Sequence, residues 1–307
     1  ARWRPRAGEN GGALAQARRA GARIVTAHDP QWPTALGDLG EHAPLCLWVR
    51  GDPALLAHRP AVAFVGARAA SGYGEHVVVE WAAELAGTGV AIVSGAAYGI
   101  DGMAHRAALA AGGVTIAVLA GGVDRPYPAG HVDLLRRIVQ HGVVVSELPC
   151  GSAPTKWRFL QRNRSIAALA DATVVVEAGS RSGSLNTAGH AAALGRPLGA
   201  VPGPVTNATS AGCHRLLREF DARCVTSPDE VRELLGLGVG EVLPTGAHTD
   251  ERTRILDALS TRAERTTDEV ARRSGMSPLE AEALLGLLVL DGTIARGAQG
   301  WRRMPRC

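Results

Sequence analysis

The chain has 307 residues, long enough for about two domains. With 46% hydrophobic residues it can bury a substantial core, which excludes disorder. The net charge of +4 excludes little, and no apolar run approaches the roughly 18 residues of a membrane span, so a cytoplasmic protein with no membrane partner is expected.

Residues 1–55 read as an N-terminal lead-in segment: Pro30, Pro33, Pro44 and Pro53 interrupt them and no period is sustained. Ala1–Arg6 is Arg-rich with no apolar stretch behind it, which argues against a secretory signal. There is no initiator Met, so the lead-in is expected to be either an extended arm or the remainder of a truncated domain.

From 56 to 236, short β-branched runs alternate with Ala/Leu-rich helical stretches. Strands are predicted at Ala61–Gly66, Val90–Ser94, Thr115–Leu119, Val143–Ser146, Thr173–Glu177, Pro197–Val201 and Arg223–Thr226. Helices are predicted at Gly74–Ala86, Ile100–Ala111, His131–Gln140, Asn163–Ala170, Ser184–Leu194 and Gly212–Phe220. The strand runs are nearly continuous apolar stretches, as in strands covered on both faces. Strand–helix–strand units at this spacing predict an α/β fold with a doubly wound, mostly parallel sheet.

Ligands bind such sheets outside the carboxyl ends of the strands, so the turns there carry the chemistry. The first runs Gly66-Ala67-Arg68-Ala69-Ala70-Ser71-Gly72. Arg68 stands where a dinucleotide fingerprint needs its second glycine, which disfavours NAD. Lys156 has no Walker glycines before it, which excludes a P-loop. Gly66 and Ser71, then Ser94, Gly95 and Gly99, then Ser182, Gly183 and Ser184 form turns leading into helices. Backbone N–H groups at such turns suit phosphate, although Gly and Ser also serve as ordinary βα turns and caps.

Lys156-Trp157-Arg158-Phe159-Leu160-Gln161-Arg162-Asn163-Arg164 is the sharpest feature, with four basic residues, two aromatics and no acid. Lys156 is the only lysine in the chain. Cations neutralise phosphates while rings stack on bases, which is the composition of a single-stranded nucleic-acid site. The segment's four charges equal the net charge of the whole chain, so the basic excess reads as one local patch.

Metal and catalytic readings find little support. The five cysteines include no C-x-x-C pair, and the histidines show no metal spacing. Asp101, Asp124, Glu147 and Glu177 fall at or after strand ends, but no nucleophile–base pair is legible. Neither a cofactor nor a metal is expected.

Residues 237–250 are Gly/Pro/Thr-rich and read as a linker. Over 251–307, helices at Thr253–Leu259, Thr267–Arg273 and Ser277–Leu290 precede a turn at Asp291-Gly292 and strands at Thr293–Ala295 and Trp301–Met304. Three helices and a wing predict a winged-helix module. Its third helix carries Glu280 and Glu282 and no basic residue, so major-groove reading is not expected of it. A protein-contact or regulatory role fits better, with Arg302, Arg303 and Arg306 left for weak duplex contact.

Taken in order, several strings resemble the DNA-processing protein A (DprA, or Smf) family. They are Val65-Gly66-Ala67-Arg68; Ser94 to Asp101 with Ala104-His105; Ile116 to Leu119 with Gly122, Asp124, Tyr127 and Pro128; and Ser146-Glu147. Phe159 with Arg162-Asn163-Arg164, Glu177-Ala178, Ser182 to Leu185 with Thr187-Ala188, Gly195-Arg196 and Val201-Pro202-Gly203 follow. The resemblance covers the sheet domain and extends to the winged-helix tail.

It implies an extended Rossmann-like core that dimerises, binds and protects single-stranded DNA, and helps load the RecA recombinase during natural transformation, without catalysis. The family's DNA pocket corresponds to Arg68, Lys156 and Phe159, with Arg162, Asn163 and Arg164 beside them. Leu160 and Cys150 replace prolines usual in the family, and His131 and His214 stand where asparagine is frequent. The competing reading is a nucleotide or phosphoribosyl hydrolase of the lysine-decarboxylase-like type. Its P-G-G-x-G-T-x-x-E string is absent, Ser182-Gly183-Ser184-Leu185-Asn186-Thr187 standing instead.

Overall fold

The computed structural model describes residues 10–238, 251–261 and 263–304. Most of the expected linker, at 239–250, lies outside them, as do Ala1–Arg6 and Arg306. The chain divides into two compact units, Ala1–Val239 and Gly240–Cys307.

The first unit is a nine-stranded sheet: β1 (Arg23–Thr26), β2 (Cys46–Gly51), β3 (Ala61–Val65), β4 (Ala91–Ser94), β5 (Thr115–Val118), β6 (Val143–Ser146), β7 (Ala172–Val175), β8 (Leu198–Ala200) and β9 (Arg223–Cys224). Their spatial order is β1-β2-β6-β5-β4-β3-β7-β8-β9. The strands from β6 across to β9 run parallel, and β2 and β1 add an antiparallel edge. The order from β5 to β9 is that of a Rossmann-like sheet, extended by β6 and the edge pair.

The helices are α1 (Asn10–Arg19), α2 (Gly72–Gly87), α3 (Ile100–Ala110), α4 (Val132–His141), α5 (Lys156–Leu169), α6 (Ser184–Ala193), α7 (Ala211–Glu219) and α8 (Pro228–Leu234). Successive residues of each strand serve opposite faces. Val62, Phe64, Ile92 and Val174 pack with Val78, Trp81, Leu85 and Ile100 of α2 and α3. Ala63, Val65, Val93, Ile116 and Val175 pack on the other face with Ile166, Leu169, Ala188 and Leu216 of α5, α6 and α7. This two-sided burial explains the continuous apolar runs. Each fully buried Val, Leu, Ile or Phe among them contributes about 1.5–3 kcal/mol.

Three segments differ from the prediction. The lead-in, for which no strand was predicted, supplies β1 and β2, which pair with each other and with β6. These strands are short and separated by a 3-10 segment at Thr34–His42, so they carry no readable period. Helix α5 begins at Lys156, two turns before the predicted Asn163. Helix α8 was not predicted, although Ser227 caps it through the Glu230 N–H and Pro228 opens it.

The second unit holds α9 (Glu251–Ala258), α10 (Thr267–Ser274), α11 (Pro278–Leu290) and the antiparallel hairpin β10 (Ile294–Arg296) and β11 (Trp301–Arg303). Ile255, Val270, Leu285, Leu288, Ile294 and Trp301 form its core. Ser277 and Glu280 make a capping box at the start of α11. This is the expected winged-helix arrangement.

Candidate nucleic-acid interface

Strand β3 is the topological switch point, since the chain continues from it to β4 on one side and returns through α5 to β7 on the other. A groove of about 740 Å³ opens there. Gly66 and Arg68 follow β3, Ala97 and Asp101 follow β4, and Arg181, Ser182, Gly183 and Ser184 follow β7; all line it. Helix α5 contributes Lys156, Phe159, Leu160, Arg162 and Asn163.

The Phe159 ring is half-buried and ringed by partners. The Arg68 guanidinium lies 5.0 Å from its centroid and that of Arg162 lies 5.9 Å away. Tyr127 approaches at 5.6 Å with a 52° tilt. Arg68, Lys156 and Arg181 are exposed along this groove. The surface thus combines exposed cations with a half-buried aromatic face.

The turn that carries Arg68 is pinned from two sides. The Ala67 N–H donates to the Glu177 carbonyl at 2.7 Å, and the Ile100 N–H donates to the Ala67 carbonyl at 3.2 Å. Gly99, at φ +72°, lies so close that a Cβ would overlap the carbonyl oxygens of Ala67 and Arg68. The Glu177 carboxylate, 1% exposed, accepts from the Ser71 N–H at 2.8 Å, the Ser71 hydroxyl at 2.5 Å and the Thr209 hydroxyl at 3.0 Å. A buried carboxyl group that accepts three hydrogen bonds ties the Ser71 turn to the end of β7 and to Thr209.

Arg162 forms the floor. It is buried, and its guanidinium donates to the carbonyls of Gly95, at 2.8 Å, and of Val118, while Nε reaches Asn163 Oδ1 at 3.3 Å. Burial pulls its pKa down to about 10, against the opposing pull of Asp101. Asp101 accepts from the Gly95 and Ala97 N–H groups at 3.2 and 3.4 Å. Burial raises its pKa, with Arg162 opposing. Asn163 ties α5 to the Ser182 turn, its amide donating to Gly183 O at 3.3 Å and Asn186 Oδ1 at 3.2 Å.

Five expected site residues do not line the groove. Arg164 makes a bidentate pair with Glu147 at 2.8 and 2.6 Å, on a side of α5 that the groove does not reach. The buried Ser94 hydroxyl donates to Phe64 O at 2.7 Å. Gly95 lies against the Arg162 guanidinium, Ser71 is held by Glu177, and Gly99 props the Arg68 turn. Their hydrogen bonds or positions are committed to building the site.

Tyr127, Thr155 and Arg181 line the groove without having been predicted. The signal for Arg181 was its position in Ser180-Arg181-Ser182, after a strand end; that for Thr155 was its capping role, since its side chain accepts from the Arg158 N–H. His131 and His214 have settled roles: one ring donates to Ala96 O at 3.0 Å, and the other meets Gly203 O at 2.9 Å. Among the described residues, no group of three or more His, Cys, Asp or Glu could hold a metal, and no helix is long and apolar enough to cross a membrane.

The family model for DNA recombination-mediator protein A matches residues 23–236, and the DprA winged helix domain model matches 243–300. A DNA processing protein DprA of Mycobacterium tuberculosis, described as putative, is 48% identical over 302 residues, covering 92% of this chain and 77% of the relative. The X-ray structure of DNA processing protein A from Streptococcus pneumoniae superposes with a TM-score of 0.68 at 38% identity, over 73% of this chain and 77% of the other. A structure of DNA processing protein A from Helicobacter pylori, concerned with its unique single-stranded DNA binding mode, gives 0.63 at 30% identity, over 69% and 95%.

Proposed function

Because this chain belongs to the DNA recombination-mediator protein A family, we propose that the groove at the switch point binds single-stranded DNA. Arg68, Lys156 and Arg181 neutralise backbone phosphates, and Phe159 offers its ring to a base. The turns at Gly66 and Ser182–Ser184 add backbone and hydroxyl donors. Arg162 and Asn163 act from the floor, and the five residues committed elsewhere hold the frame. The observation that carries this reading is the exposed Arg68 beside the Phe159 ring at the carboxyl end of β3. The single-stranded DNA binding mode of the Helicobacter pylori relative supports it.

We extend the reading to a recombination mediator in the cytoplasm that protects single strands, assists RecA loading during DNA uptake, works as a homodimer and performs no catalysis. In this proposal residues 56–236 are the DNA-binding domain and 251–307 a module that contacts protein.

Fluorescence anisotropy with labelled single- and double-stranded oligonucleotides tests the central part. The single strand is expected to bind more tightly, and Phe159→Ala to cost about 1–3 kcal/mol on it. Equal affinity for duplex and single strand, or an unaffected Phe159→Ala variant, overturns the proposal.

A further inference from the structure

Trp157 is 68% exposed, whereas Trp48, Trp81 and Trp301 are all buried. A tryptophan left this open forfeits the burial its size would otherwise supply, and it has no aromatic neighbour among the described residues. Its place on α5 is informative. Successive helical residues are separated by about 100° around the axis. Phe159 faces the groove; Lys156, Leu160 and Trp157 then follow in order around the first turn. Lys156 and Leu160 line the groove, and Leu160 is itself 37% exposed at its rim. Trp157, three residues before Leu160, is its neighbour on the outer side of that rim.

We propose that Trp157 is a second base-stacking platform, which receives the nucleotides of a single strand leaving the groove across the N-terminal turn of α5. The proposal rests on the single-strand reading of the groove and lengthens the site beyond it. Lys156 lies between the two rings and supplies the cation for the phosphate linking the two stacked segments. From Lys156 to Arg164 no acidic residue interrupts the path along the sequence. Stacking on an indole is indifferent to base identity, so the extension adds affinity and site length without sequence preference.

The test is anisotropy of the full chain with two labelled single strands. One has about 5 nucleotides, enough for the groove, and the other about 10, enough to pass over the rim. Trp157→Ala is expected to weaken the longer strand about tenfold and leave the shorter one within about twofold, while Trp157→Phe keeps most of the affinity. Because the side chain is exposed, the thermal melt of Trp157→Ala should match the parent's. Phe159→Ala, run in parallel, should weaken both lengths; if it weakens neither, the groove reading itself fails. With Phe159→Ala behaving as expected, an unchanged Trp157→Ala overturns the platform and leaves Trp157 and Leu160 as a protein-facing patch. Equal weakening of both strands by Trp157→Ala also overturns it, because the indole then acts at the groove and not beyond it.

Discussion

Arg68 and Arg162 both approach the Phe159 ring, yet only Arg68 is exposed. Arg162 holds two backbone carbonyls at the ends of β4 and β5, so its loss leaves them unpaired in the interior. Arg162→Met is therefore expected to lower stability by about 2–4 kcal/mol in urea denaturation. Arg68→Ala should leave the urea midpoint unchanged while weakening single-strand binding. Equal stability of both variants would contradict this division.

His105 makes a separate prediction about pH. It is buried, its Nδ1 is 2.7 Å from the Thr115 hydroxyl oxygen, and burial lowers its pKa from 6.5 to about 3. Between those values the unfolded chain binds a proton that the folded chain excludes. This contribution is complete above pH 6.5 and is lost as pH falls through the window, with a slope of up to about 1.4 kcal/mol per pH unit. His105→Gln should flatten the dependence of denaturation midpoint on pH between about 6 and 4; an unaltered slope would contradict it.

At the scale of elements, the central parallel strands were legible because they are buried on both faces, and their sequence shows nothing else. Helix α5 was legible only from Asn163. Its first two turns put Lys156, Phe159, Leu160 and Arg162 on a groove rather than a core and leave Trp157 and Gln161 exposed, so they show no apolar period. Thr155, three residues before Arg158, was the available capping signal. Position after the first strand and the family resemblance pointed to Arg68, and the charge and aromatic pattern to Lys156 and Phe159, but neither separates a cation facing outward from one consumed internally. Arg162 and Arg164 read like Lys156 in the sequence; only the carbonyls and Glu147 around them tell them apart.

The β4–α3 turn supports the β3 turn, and this coupling can be tested. Gly99→Ala places a Cβ against the Arg68 turn at a positive φ, and should cost at least about 1–3 kcal/mol of stability. Single-strand affinity should fall with it, since Arg68 loses its support. Lost stability with intact binding would show that the two turns are independent.

For the whole molecule, the +4 charge takes on a different distribution. Lys156–Arg164 holds four positive charges, as many as the net, but Arg158 donates to Ala153 O, Arg162 is buried and Arg164 is paired. The exposed cations of the groove are Lys156 from α5, Arg68 from the β3 turn and Arg181 from the β7 turn. Three separate segments therefore supply the field that the sequence alone assigns to one. All of them belong to the first unit, so a chain ending at residue 238 should bind single strands within about twofold of the full chain. A larger loss would assign DNA contact to the winged-helix module.

The most direct measurement is single-strand affinity across a salt series for the parent and for Arg68→Ala/Lys156→Ala. Affinity should fall linearly with the logarithm of salt, and the double substitution should flatten the slope by about 0.7 for each phosphate contact removed. A double variant with the parent's slope and affinity would contradict the assignment of this groove as the DNA site.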